Sequence, residues 1–149
     1  MEPKGTSRQQ IVLPGQGKNY DWTNDHVFVK SSMQLSDGRV TLVEDRLKPG
    51  FALARHHHKK MIEIFYVLDG TVEFAFDDEV VIAEPGTTLN VPPEVRHAVR
   101  SQHGARLLTI FSPGGFDQYL EDLVALTESQ YGDAGFMQAL SERYDIFSG

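Results

Sequence analysis

From residue 26 to residue 113 the chain divides into short runs in which apolar positions alternate with polar ones or cluster, and each run ends in a turn signal. The runs cover 26–35, 39–47, 51–58, 62–68, 71–76, 79–83, 87–91, 97–101 and 106–111. Between them stand Ser36-Asp37-Gly38, Lys48-Pro49-Gly50, Asp69-Gly70, Asp77-Asp78, Glu84-Pro85-Gly86 and Pro92-Pro93-Glu94. Glycine supplies positive φ and proline presets φ, so these clusters turn the chain for a stated reason. Many short strands at regular spacing predict an all-β protein, an antiparallel sandwich or barrel.

The period changes after Pro113-Gly114-Gly115. Phe116, Tyr119, Leu120, Leu123 and Val124 recur at helical spacing. A second helix is predicted with Asp133 as its cap and Phe136, Met137, Leu140 and Tyr144 as its apolar face. Residues 1–25 are polar and rich in Gly, Gln and Asn. They read as an N-terminal arm with Tyr20 and Trp22 as its anchors. The expected organisation is an arm (1–25), a β-barrel (26–113) and a two-helix tail (114–149) packed on the barrel.

Composition narrows the chemistry. A chain of 149 residues is most simply one domain with a normal core. The formal charge is −7 with no block of Lys or Arg, which counts against nucleic acid or an anionic membrane as partner. There is no cysteine, so any metal must be held by nitrogen and oxygen. No apolar run has the length of a membrane span and no signal-peptide core is present, so the expected compartment is the cytoplasm.

Candidate chemistry concentrates between Gly50 and Gly70, where His56-His57-His58 is followed by Glu63. Imidazole and carboxylate together are the usual ligands of a catalytic divalent metal. Residues two apart on a strand share a face, so His56 and His58 point one way and His57 the other. Glu63 lies across the Lys59-Lys60-Met61 turn and returns to the same face if the two segments form a hairpin, with Phe65 and Val67 following it. His97 opens a later strand and meets the others only through the tertiary fold. The competing reading is a surface histidine cluster beside a solvated glutamate, and for His57 it is preferred.

The spacing resembles the cupin superfamily. Gly50, His56, His58, Glu63 and Gly70 match the first cupin motif at every fixed position. Gly86, Pro92 and His97 match the second, with Glu94 where that motif has glycine and Ser101 where it has asparagine. The resemblance implies a double-stranded β-helix (jelly roll) with one divalent transition metal (Fe, Mn, Ni, Co, Cu or Zn) held inside by His56, His58, Glu63 and His97. It also implies a homodimer paired through its sheets. The segment from Phe111 to Phe116 and the helices after it resemble single-domain cupins related to quercetin dioxygenases. The helices are expected to pack outside the barrel or on a dimer mate rather than to form a lid.

The function that follows first is a quercetinase-like dioxygenase acting on a small organic substrate, with Glu63 as both ligand and base. Met33, Phe65, Val67, Phe74, Phe76, Val99 and Leu108 are the candidate substrate-pocket walls. The second reading is a non-oxidative isomerase, cyclase, lyase or epimerase in which the metal is a Lewis acid. The third is a non-catalytic small-molecule binding module, against which a complete ligand set counts.

Overall fold

Alternation, turn chemistry and one buried aspartate account for most of the architecture. The computed structural model describes residues 8–149. Among the described residues eleven strands form: β1 (Asn19–Asp21), β2 (Asp25–Ser31), β3 (Thr41–Leu47), β4 (Phe51–His57), β5 (Ile62–Gly70), β6 (Val72–Phe76), β7 (Val80–Ala83), β8 (Thr88–Val91), β9 (His97–Ser101), β10 (Ala105–Ser112) and β11 (Phe147–Ser148). They make two antiparallel sheets with orders β1-β2-β3-β10-β5-β8 and β11-β4-β9-β6-β7. The sequential strands β3 and β4 lie in different sheets, as do β5 and β6, so the chain crosses repeatedly between layers. The expected jelly roll is what forms.

The inward faces pack two adjoining clusters. One is built on Leu47, Phe51, Phe65, Val67, Phe74 and Leu107. The other joins Tyr20, Val27, Val43, Met61 and Phe111 to Leu120 of the first helix. Gly70 shows why the first motif ends in glycine. It sits at φ +76°, and a Cβ there would lie 2.5 Å from the Gly104 carbonyl oxygen.

Two expectations shift at the ends of the chain. Part of the predicted arm, residues 1–7, lies outside the described residues. Its inner end forms strand β1, paired to β2 with Tyr20 opposite Val27, and Tyr20 and Trp22 pack into the core. Three residues are too few to show alternation, so the pairing is dictated by the β2 edge. The tail holds three helices rather than two: α1 (Phe116–Val124), α2 (Glu128–Tyr131) and α3 (Ala134–Arg143). A single turn has no visible period, but α2 carries a full capping box between Thr127 and Gln130. Asp133 caps α3 as its position suggested, accepting the Phe136 N–H at 3.0 Å. Helix α1 is tied down by Asp117, whose Oδ1 accepts the Thr41 hydroxyl at 2.6 Å and the Met33 N–H at 3.2 Å.

The two departures from the second motif have local explanations. Ser101 is buried and its hydroxyl donates to the Thr71 carbonyl at 2.8 Å. Glu94 adopts φ +74°, the left-handed conformation that glycine takes without cost, and its N–H donates to the His58 carbonyl at 2.6 Å. A non-glycine residue there costs about 1–2 kcal/mol, of which the larger unfolded-state freedom of glycine takes back roughly half. Glu94→Gly is therefore expected to stabilise the protein by about 0.5–1 kcal/mol. A urea midpoint that stays put or falls contradicts this.

Candidate metal centre

Three strands from both sheets carry the site. His56 lies on β4 directly opposite His97 on β9, and Glu63 is the second residue of β5 in the facing sheet. His58 follows the end of β4. Strict alternation from the inward residues Phe51 and Leu53 would turn His56 outward. A bulge between Leu53 and His56 inserts one residue and resets the phase, so His56 and His58 face in. His57 faces away and stacks on Phe147 at 5.6 Å between ring centroids, as alternation counted from the histidines indicates.

The four side chains converge. One donor atom from each of His56, His58, Glu63 and His97 lies within 4.8 Å of the others. His97 is fully buried, and His58 and Glu63 are only 3% and 4% exposed. Glu63 Oε1 lies 3.0 Å from Nε2 of both His58 and His97. Two donors at right angles around an ion, each bonded at about 2.1 Å, are about 3.0 Å apart, so the spacing matches one edge of a coordination polyhedron. The backs of the rings are fixed too. Nδ1–H of His56 donates to the Ala54 carbonyl at 2.9 Å, that of His97 to Val95 at 3.0 Å, and that of His58 to Asp145 at 2.7 Å. Carbonyls only accept, so every Nδ1 carries the hydrogen and every Nε2 is left as the ligating atom. The residues present fit a divalent transition metal.

Asp145 was not visible as a site residue in the sequence. It stands between α3 and β11 at φ +65°. Its carbonyl orients His58, and its carboxylate accepts the N–H groups of Lys59, Lys60 and Met61 at 2.8–2.9 Å. The C-terminal segment thus holds the turn between two ligands. Strand β11 adds to this by pairing Ser148 with His56.

Electrostatics follow the geometry. Burial pushes the Glu63 carboxyl up, but the hydrogen bonds and charges of His58 and His97 outweigh it and hold it down at about 2. Burial is also the largest influence on His58 and pushes it down, yet Glu63 and Asp145 together hold it above its ordinary 6.5. His56, buried and beside His97, falls to about 4. A proton therefore rests on His58 against Glu63 in the metal-free protein, and a metal must displace it. Metal uptake near pH 6.5 is expected to release about one proton per ion, and affinity should weaken about tenfold per pH unit below the His58 titration. Indicator-dye titration reads this directly, and proton-neutral uptake contradicts it.

The cluster opens on a cavity of about 890 Å³. Of the expected wall residues, Phe65 and Val99 line it. Val67 and Phe74 point inward but are completely enclosed in the packed core, with Phe76 packed against them. Alternation reports direction and not depth. Leu108 lies on the outer face of β10, because its neighbours Leu107 and Thr109 take the cavity side. Met33 belongs to the segment held by Asp117. The walls that the sequence left unassigned are Asp25 and Asp45 from the larger sheet and residues of the tail such as Tyr119, Leu120 and Met137. The helices are part of the cavity wall, not only packing on the outside.

Two antiparallel sheets with three imidazoles and a carboxylate largely buried where they meet are the arrangement of a cupin. The Cupin domain family matches residues 43–111, and the two sheets have the jelly-roll fold of the cupin superfamily. It is similar in structure to KdgF from Halomonas sp. (17% identity, 73% of this chain and 99% of that one, TM-score 0.65). It is likewise similar to a predicted oxalate decarboxylase from Thermotoga maritima (16%, 70% and 99%, TM-score 0.64). A third likeness is to the polyketide cyclase RemF from Streptomyces resistomycificus (17%, 70% and 80%, TM-score 0.63). Among curated proteins none matches in sequence. Among the described residues no helix is long and apolar enough to cross a membrane.

Proposed function

We propose that this cupin is a metal-dependent enzyme that binds a small organic substrate through an oxygen atom at the His56/His58/Glu63/His97 cluster and rearranges it by proton transfer without consuming O₂. The observation that carries this reading is the convergence of four donors, of which His56, His58 and Glu63 stand on the wall of an otherwise mostly apolar cavity. At about 890 Å³ that cavity is of the size small-molecule sites occupy. A divalent ion held there supplies Lewis-acid stabilisation of a carbonyl, enolate or alkoxide oxygen.

The chain supplies the rest. The three carbonyl-anchored imidazoles hold their donors in place, so little reorganisation accompanies binding. Glu63 supplies the one negative charge among the ligands. Phe65, Val99 and Leu107 exclude water, which strengthens every interaction with the substrate oxygen. The non-oxidative version is favoured over the quercetinase-like one by the like-folded proteins, which include a polyketide cyclase and a predicted oxalate decarboxylase.

The test is turnover of a panel of enols, diketones and hydroxy acids by metal-loaded protein under air and under argon. Equal rates in both, lost in His97→Ala, are expected. Oxygen uptake in step with turnover, abolished by argon, returns the dioxygenase reading.

A further inference from the structure

Asp25 on β2 and Asp45 on β3 lie on the inward face of the larger sheet. Asp25 stands opposite Leu47 and Asp45 opposite Val27, so the two are diagonal neighbours. Their carboxyls are close enough to shift each other's titration, and both line the cavity that also contains His56, His58 and Glu63. Asp45 Oδ1 is enclosed and, among the described residues, has no hydrogen-bond partner. Asp45 occupies a place in the row Val43, Asp45, Leu47 where packing alone would set an apolar side chain.

Two carboxyls in contact in a low-dielectric wall do not both ionise. The pair keeps one proton and one negative charge. Burial, then the neighbouring Asp25, and more weakly Glu63, push the Asp45 carboxyl well above its ordinary range. Burial also raises Asp25, against the opposing pull of Asp45, Lys48 and His26. A buried negative charge is costly unless something neutralises it. The cations nearby are committed elsewhere. Lys48 Nζ donates to Asp21 Oδ1 and to the Trp22 carbonyl, both at 2.6 Å. His26 Nε2 contacts Asn19 Oδ1 at 3.0 Å. Arg55 is the one lysine or arginine among the cavity-lining residues, and it is bound to Asp77.

We propose that the Asp25–Asp45 pair is a second recognition point in the cavity, taking the ammonium group of a substrate whose oxygen end reaches the His56/His58/Glu63/His97 cluster. For the oxygen end, this rests on the metal-site reading above. An ammonium group carries three donors and one positive charge, which answers the single negative charge that the Asp25–Asp45 pair holds. The wall between the two polar points is mostly apolar, with Val27, Val43, Leu47, Phe65 and Leu107 beside the one hydroxyl of Thr109, and calls for a short, largely hydrocarbon spacer. The substrate class is therefore a small amino-substituted oxygen ligand rather than a polyphenol.

The test uses the cobalt-loaded full chain and two probe series of graded length, straight-chain ω-amino carboxylates and the matching alkanoates. Binding is read by the visible cobalt bands and by calorimetry. One length of amino carboxylate is expected to bind at least ~10-fold tighter than its alkanoate. That advantage should vanish in Asp45→Asn and Asp25→Asn, while alkanoate binding is retained. It should also vanish in wild type when the amine is trimethylated, a comparison that needs no variant. The pair's role is overturned if no length shows an advantage, or if the advantage survives both substitutions or trimethylation. If neither series perturbs the cobalt bands, the metal-site reading fails first, and the pair's role fails with it. Alkanoates that shift the bands with no ammonium preference sink the pair alone.

Discussion

Replacing Glu63 by alanine is expected to weaken divalent-metal binding by more than the ~10–100-fold that loss of a group behind the ligands usually costs. Glu63 is the only anion among the four donors, and its Oε1 sits 3.0 Å from two imidazole nitrogens. Without it, His58 and His97 face a hole and the ion loses its one charged ligand. Calorimetric titration with zinc or cobalt measures the change. A loss below tenfold would mean that Glu63 is not a ligand. The metal-free protein offers an independent sign. A carboxyl held near 2 contributes stability that is fully present above its ordinary 4.5 and disappears as pH falls toward about 2. Acid denaturation of the metal-free wild type should show this term, of the order of a few kcal/mol, and Glu63→Ala should lack it.

Asp145→Ala carries the second large effect, although the residue is no ligand. It removes one acceptor for three successive N–H groups and places alanine at φ +65°. The lost hydrogen bonds are partly replaced by water, because Lys59 and Lys60 are exposed. The expected destabilisation is about 2–3 kcal/mol, with metal affinity reduced roughly tenfold through the slackened His58. Asp145→Asn, which keeps an acceptor and tolerates positive φ, should lie between wild type and Ala. Burial pushes the Asp145 carboxyl up, but the three N–H groups outweigh it and hold it below its ordinary 3.8. Its contribution is therefore present above that value and lost on acidification, so wild type and variant should converge in strong acid. Equal metal affinity of wild type and Asp145→Ala at neutral pH would show that the C-terminal segment does not orient His58.

These two residues mark where sequence reading succeeds and where it stops. His56, His58 and Glu63 were legible because ligand chemistry demands particular side chains at spacings set by strand pairing, and His97 joined them only through the resemblance to the cupin motifs. The inward facing of His56 and the outward facing of His57 agree with alternation only when it is counted from the histidines. Counted from Phe51, the bulge would have inverted it, and no residue in Leu53 to His56 announces a bulge. Leu108 failed for the reverse reason, since the face it occupies is decided by its pairing with Glu44 and Tyr66. Val67 and Phe74 were placed on the correct side but at the wrong depth. Asp145 and the Asp25–Asp45 pair act through partners far away in sequence, and a lone aspartate carries no local sign of which backbone or carboxyl it will meet. Helix α2 and strand β11 were too short to show a period.

The central claim is that His56, His58, Glu63 and His97 hold one metal ion. Anomalous diffraction at the absorption edge of the metal, from crystals of protein purified without added metal, tests it most directly. The account predicts one anomalous peak per chain, about 2.0–2.3 Å from Nε2 of the three histidines and from the Glu63 carboxylate. A peak elsewhere, or none after soaking with cobalt or zinc, contradicts it.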